Sequence, residues 1–213
     1  MYLDGLQAYW TKDWRGAVEN LRRVYEVNPH FRDARTMLGK SWYYLGIELE
    51  EDEIWDEARD AFEQVTELLP DLEDAKVRLA KAEDVLIPPK RVEIDISAKL
   101  VTLYENHQPI HVFQCCTGRS NAPTIPGRYQ VLDKMPEAYA SKWALRMPWW
   151  VGIYYAGGSE NGIHALPILS SGRILWRGAL GTGCSFGCIV LDTDDAITLY
   201  DWVDVGTVVL ISP

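Results

Sequence analysis

The chain has 213 residues, 47% hydrophobic and 24% charged, with 31 acidic against 21 basic side chains and a formal net charge of −10. That balance excludes a general nucleic-acid binder, whose phosphate contacts need clustered Lys and Arg, and no apolar run approaches the length of a membrane span. Four cysteines are too few for a disulfide-built scaffold, while the length accommodates two modest domains.

Composition divides the chain near residue 88. Residues 1–90 hold four glycines and 12 basic against 20 acidic side chains, whereas the remainder holds twelve glycines and nearly balances, 9 against 11. The N-terminal part reads as paired helices. Gly5, Ala8, Trp14, Ala17, Leu21, Val24 and Pro29 recur in a second copy as Gly39, Trp42, Trp55, Ala58, Phe62, Val65 and Pro70. Small residues at such positions let two helices approach closely, and Pro ends the second. Ala17 and Ala58 lie 41 residues apart, about two helical turns more than a 34-residue repeat needs. The insertion is placed at Tyr44-Leu45-Gly46-Ile47 and the acidic run Glu48 to Glu53, of which Glu50-Glu51-Asp52-Glu53 reads as a solvated helix end. A last helix is expected through about Leu86, with Asp71 as N-cap and Leu72, Ala75, Leu79 and Ala82 on one face.

These repeated positions resemble a short tetratricopeptide array over residues 1–87. The resemblance implies an all-α repeat domain that binds peptides or partner proteins along a concave face; the alternative is a helical support for the rest of the chain.

Pro88-Pro89 breaks the last helix. Arg91 to Ile96 alternates polar and apolar residues at period two, as a half-buried strand does, and so does Lys99 to Tyr104. Glu105 to Gln108 makes a turn, and Pro109 to Gly118 returns as a third strand. Cys115 and Cys116, adjacent on that strand, should face opposite ways, at least one as a small buried apolar residue. Residues 135–164 are aromatic and irregular, furnishing both core and cleft wall. Gly157 to Gly162 reads as a flexible loop, a lid hinge or a turn.

The run Gly181-Thr182-Gly183-Cys184-Ser185-Phe186-Gly187-Cys188 is a Gly-rich turn feeding the β-prone Ile189-Val190-Leu191. A thiol at such a junction has backbone N–H groups beside it for an oxyanion. Of four histidines, His164 precedes this run and is the natural base.

Ile163-His164-Ala165, Ser185-Phe186-Gly187-Cys188-Ile189, Asp194 to Tyr200 and Gly206 to Val209 together resemble the L,D-transpeptidase (YkuD) catalytic domain. The hairpin from Arg91 and the Pro-Thr-Ile-Pro-Gly turn at 123–127 resemble it too. That family's signature is His, a spacer, then Ser/Thr-His-Gly-Cys. Here Phe186 stands for the second His, Val190 for the Asn or Arg two residues past the Cys, and the spacer is longer.

The resemblance implies a β-rich domain with short helices over 88–213, without cofactor or metal, acting on peptidoglycan stem peptides. It implies Cys188 as nucleophile, His164 as base, Ser185 orienting the site through its hydroxyl and Gly187 in the catalytic turn. Met147, Tyr154 and Phe186 are expected to line the cleft, and Arg173 or Arg177 to meet stem carboxylates. The reaction would release terminal D-Ala through a thioester and form a 3→3 cross-link, or hydrolyse the stem as an L,D-carboxypeptidase. Three rival readings stay open: a zinc site of Cys184, Cys188 and His164; a redox pair of Cys184 with Cys188; and a non-catalytic peptidoglycan-binding module impaired at Phe186 and Val190. The expected location is extracytoplasmic, in periplasm or cell wall. Met1 to Gly5 lack the basic start and apolar core of a signal peptide. The expectation is therefore a leader or anchor removed ahead of an added Met1, with a cytoplasmic role as the alternative.

Overall fold

Small residues at helix crossings and apolar stripes at helical spacing carry the first 86 residues into five helices in the computed structural model, which describes all residues, Met1–Pro213. They are α1 (Tyr2–Trp10), α2 (Trp14–Val27), α3 (Ala34–Glu51), α4 (Trp55–Leu68) and α5 (Glu73–Leu86). Each packs on its sequence neighbours, as stacked repeat helices do, around Ala17, Leu21, Leu38, Leu45, Ala58 and Phe62. Gly46 lies so close to Phe62 that a Cβ there would come within 2.7 Å of the ring. The seven extra residues lengthen α3 to 18 residues.

Two local expectations change. The residue capping α5 is Leu72, without a side-chain hydrogen bond, so Asp71 is not its cap. Glu50 is no solvated helix end: it meets Arg78 Nη1 and Lys81 Nζ, both at 2.6 Å, joining α3 to α5.

The chain divides into two compact units, Met1–Pro88 and Pro89–Pro213. The second unit is built from strands. Its first sheet runs in the order β3-β2-β1-β12-β5, from β1 (Arg91–Asp95), β2 (Leu100–Glu105), β3 (Gln108–Gln114), β5 (Gly127–Gln130) and β12 (Val208–Ser212). A short pair joins β4 (Thr117–Gly118) to β10 (Gly183–Ser185). The remaining sheet orders β11 (Ile189–Leu191), β8 (Ser159–Ala165), β7 (Leu145–Ala156) and β6 (Asp133–Ala140), with β9 (Ile168–Leu169) also on β7. Val92, Ile94, Val101 and Leu103 of the first sheet share one core with Val151, Ile153, Ile163, Ile189 and Leu191 of the other. Ala196 and Leu199 of α6 (Thr193–Trp202) close it. No helix is long and apolar enough to cross a membrane.

The segment expected to be irregular is therefore the most regular part of this unit. Its Trp, Tyr and Val residues favour the pleated sheet, and β6 and β7 pair in register over Asp133↔Gly152 to Ala140↔Leu145. Gly157 and Gly158 sit at φ +59° and +78°, the positive pair a two-residue hairpin turn demands. They form the tight turn between β7 and β8.

Candidate active site

Strand pairing brings the distant motif halves together. β11 runs parallel to β8 with Val190 beside His164 and Ile189 beside Ile163, so Cys188, one residue before β11, arrives next to Gly162. Cys188 and His164 line one cavity of about 720 Å³ together with Trp143, Met147, Trp150 and Phe186.

His164 is 2% exposed, its ring stacked on Trp150 with centroids 5.8 Å apart. Its Nδ1 lies 2.6 Å from the Ala165 carbonyl oxygen. A carbonyl only accepts, so Nδ1 carries the proton and Nε2 keeps a lone pair. Burial pulls the imidazole down to about 4, against which the Ala165 carbonyl acts in the opposite sense. Burial also pushes the Cys188 thiol up to about 11; the Gly162 backbone N–H pulls it back and Glu160 pushes it further. At neutral pH the pair rests as thiol and imidazole rather than as an ion pair.

The turn carrying Cys188 is held by hydroxyls. Ser185 Oγ donates to the Cys188 carbonyl at 2.5 Å and accepts from the Gly187 N–H at 3.2 Å. The Gly187 carbonyl accepts from Thr124 Oγ1 at 2.9 Å and from Tyr154 Oη at 3.2 Å. Thr124 Oγ1 in turn accepts from Gly118 N, and Tyr154 Oη from Ile125 N. Gly187 has φ +125°, and a Cβ there would lie 2.5 Å from Asn161 Oδ1; only glycine fits.

Among the expected lining residues, Met147 and Phe186 face the cavity. Tyr154 does not: it is buried behind the turn, with its hydroxyl spent on Gly187 and Ile125. Arg173 and Arg177 are exposed and lie outside the cavity wall, because Arg173 sits at the turn after β9. Phe186, 39% exposed, is stacked on Trp143 at 5.0 Å and covered by the Arg119 guanidinium 3.8 Å from its centroid. Val190 is fully buried with Cys116 and Leu166, which accounts for an apolar residue where the family motif has a polar one.

Cys184 is bonded to Cys116 in a disulfide, leaving Cys115 and Cys188 free. The pair Cys184–Cys188 is therefore not the one formed, and Cys184 has no thiolate to offer a metal. Asn161, Thr124 and Arg119 escaped the sequence reading. Only the Thr in the Pro-Thr-Ile-Pro-Gly turn carried any signal, as part of a turn rather than as a hydroxyl donor.

Residues 89–211 match the model of the YkuD family, the L,D-transpeptidase catalytic domain. No curated protein matches the chain. Among solved structures, an L,D-transpeptidase from Mycobacterium smegmatis is 21% identical, with 59% of each chain covered and a TM-score of 0.49. The transpeptidase LdtMt1 in complex with imipenem is 20% identical over 58% of this chain and 59% of that one, with a TM-score of 0.51, a likeness of fold. An L,D-transpeptidase from Stackebrandtia nassauensis is 20% identical over 74% of this chain and 77% of that one, with a TM-score of 0.48. The chain thus spans less than two thirds of the length of the first two, at 59% each.

Proposed function

This chain belongs to the YkuD family of L,D-transpeptidase catalytic domains, and on that premise we propose that it transfers acyl groups between peptidoglycan stem peptides through a Cys188 thioester. The observation that carries the reading is the cavity shared by the Cys188 thiol and a neutral His164 whose Nδ1 is committed to Ala165. That arrangement leaves Nε2 as the base.

The step begins from the neutral pair. As sulfur attacks the stem carbonyl, Nε2 takes the thiol proton, and the carbonyl oxygen gains the negative charge. The Cys188 backbone N–H is the donor we assign to that oxygen, since the Gly187 N–H is already held by Ser185 Oγ. Collapse expels the terminal D-Ala, whose amine leaves with the proton from Nε2. A second stem's side-chain amine then attacks the thioester, giving its proton to Nε2 and the 3→3 cross-link as product. Nε2 returns the proton to the departing sulfur. Water in place of the amine gives the L,D-carboxypeptidase reaction.

An extracytoplasmic location accords with the Cys116–Cys184 disulfide, which reducing compartments disfavour. For the helical unit, the proposed seat of a peptide partner is the groove floored by Val18, Trp42, Leu45 and Leu49. Phe186 and Val190 favour a second reading, a binding module without turnover.

Intact mass after incubation with a carbapenem, and separately with a tetrapeptide-stem muropeptide, separates the two. The enzyme reading expects a drug adduct that disappears in Cys188→Ala, slows in His164→Ala, and is matched by loss of D-Ala from the stem. A folded, reduced protein with neither adduct nor turnover overturns it in favour of the binding module.

A further inference from the structure

A sulfur nucleophile must hold its proton until the base is ready and then bear a developing negative charge. Besides sharing the cavity with His164, the Cys188 sulfur is met by groups of the neighbouring strand. The Gly162 backbone N–H favours its anion, and Asn161 Oδ1 lies 3.9 Å away as an acceptor, within range for an S–H hydrogen bond. Asn161 is only 7% exposed and lines the cavity. Its position is enforced from both sides. The register of β7 and β8 shifts between Gly152 and Tyr154, placing Asn161 opposite Tyr154, and shifts of this kind re-aim side chains. On the other side, Oδ1 occupies the space where any Cβ on residue 187 would fall. The amide nitrogen, by contrast, is loosely held: Nδ2 reaches only the Ser159 carbonyl, at 3.5 Å.

We propose that Asn161 is a further member of the catalytic apparatus, accepting the Cys188 S–H in the resting protein and donating Nδ2–H to the sulfur once it is an anion. A carboxamide offers both an acceptor and a donor, and half a turn about its terminal torsion exchanges them at the cost of one long hydrogen bond. Asn161 remains neutral throughout. The proton still passes from sulfur to His164 Nε2, and the charge that develops on sulfur meets two N–H donors, from Gly162 and Asn161, instead of one. An aspartate of the same shape would set a like charge against the anion, and a leucine would leave it one donor short.

The inference rests on Cys188 being the nucleophile, as proposed above, but alkylation reads the sulfur directly and needs no substrate. Full-length wild type, Asn161→Asp and Asn161→Leu are treated with iodoacetamide across pH 6–11 and followed by intact mass. Cys115, fully buried, reports folding by staying unlabelled. The expected result is that Cys188 labelling at a given pH falls about tenfold in Asn161→Leu, in line with one lost hydrogen bond to a charged group. In Asn161→Asp it falls at least as far, and the pH dependence moves upward in both. Wild-type pH dependence in both variants, with Cys115 protected, overturns the proposal. Should either variant expose Cys115, the S–H stretching band of wild type, isolated by subtracting Cys188→Ala, decides: a hydrogen-bonded frequency supports the proposal and an unbonded one overturns it. A protein that shows these shifts yet forms no carbapenem adduct loses the transpeptidase reading and keeps the Asn161–Cys188 hydrogen bond, without its catalytic role.

Discussion

Replacing His164 with glutamine should make the second unit less sensitive to acid, and the size of the effect follows from how the ring is buried. Unfolded, the imidazole titrates near 6.5; folded, under Trp150 and 2% exposed, it is held down to about 4. Between those values the unfolded chain binds the proton and the folded chain does not. Stability therefore rises with pH across this window and is lost as pH falls from about 6.5 toward 4. At 1.36 kcal/mol per unit, the loss by pH 4 is about 3 kcal/mol. His164→Gln cannot titrate and should lack this component. Glu160, raised by burial and by Asp133, contributes with the opposite sign, but it is present in both proteins and cancels from their difference. The assay is urea unfolding at pH 7 and pH 4, read by trapping the newly exposed Cys115 with a pyridyl disulfide, which reacts in acid. Cys115 belongs to the second unit's core, so the helices do not enter the signal. Parallel loss of stability in wild type and His164→Gln would refute the argument and imply that the ring is protonated well above pH 4.

Other substitutions test the turn and its anchors. Gly187→Ala forces a side chain into φ +125° and onto Asn161; it should cost about 1–3 kcal/mol and abolish the carbapenem adduct, as seen by urea unfolding and intact mass. Thr124→Val keeps the shape but leaves Gly118 N–H and the Gly187 carbonyl each one partner short. About 1–3 kcal/mol of stability should go, with slower acylation in a stopped-flow assay. The double variant Cys116→Ala/Cys184→Ser releases a loop of sequence separation 68. Calorimetry should show a loss of about 4 kcal/mol on the chain-entropy account, and Cys188 should still be alkylated in the folded protein.

What the sequence made legible was local. Ser185 to Leu191 announces a turn entering a strand because glycines and β-branched residues state it within a few positions, and the helices are declared by Ala17, Ala58 and their partners at helical spacing. Residues whose roles depend on strand register were hidden. Tyr154 looks like any cleft aromatic until β7 is laid against β8, when its hydroxyl proves to sit behind the turn rather than in the cleft. Asn161 was lost in a stretch read as a flexible loop, because Gly157 and Gly158 obscured the strand that starts two residues before it. The irregular reading of residues 135–164 failed for a related reason. Bulky aromatics on both faces erase the two-residue alternation that marks a half-buried strand, although each of them favours a sheet.

The Cys116–Cys184 bond also sets a race that the growing chain must win. In an unfolded chain Cys184 meets Cys188, four positions away, on the order of 70-fold more readily than Cys116, 68 positions away, by loop-closure entropy alone. The near pairing would consume the very sulfur that Cys188 supplies to the site. What reverses the preference is strand pairing: Cys116 exchanges backbone hydrogen bonds with Val190 and β4 lies along β10, so once these segments align, the distant cysteine becomes the neighbouring one. Oxidant that arrives before those strands have paired locks the Cys188 thiol away; oxidant that arrives afterward leaves it the only partly exposed thiol in the chain.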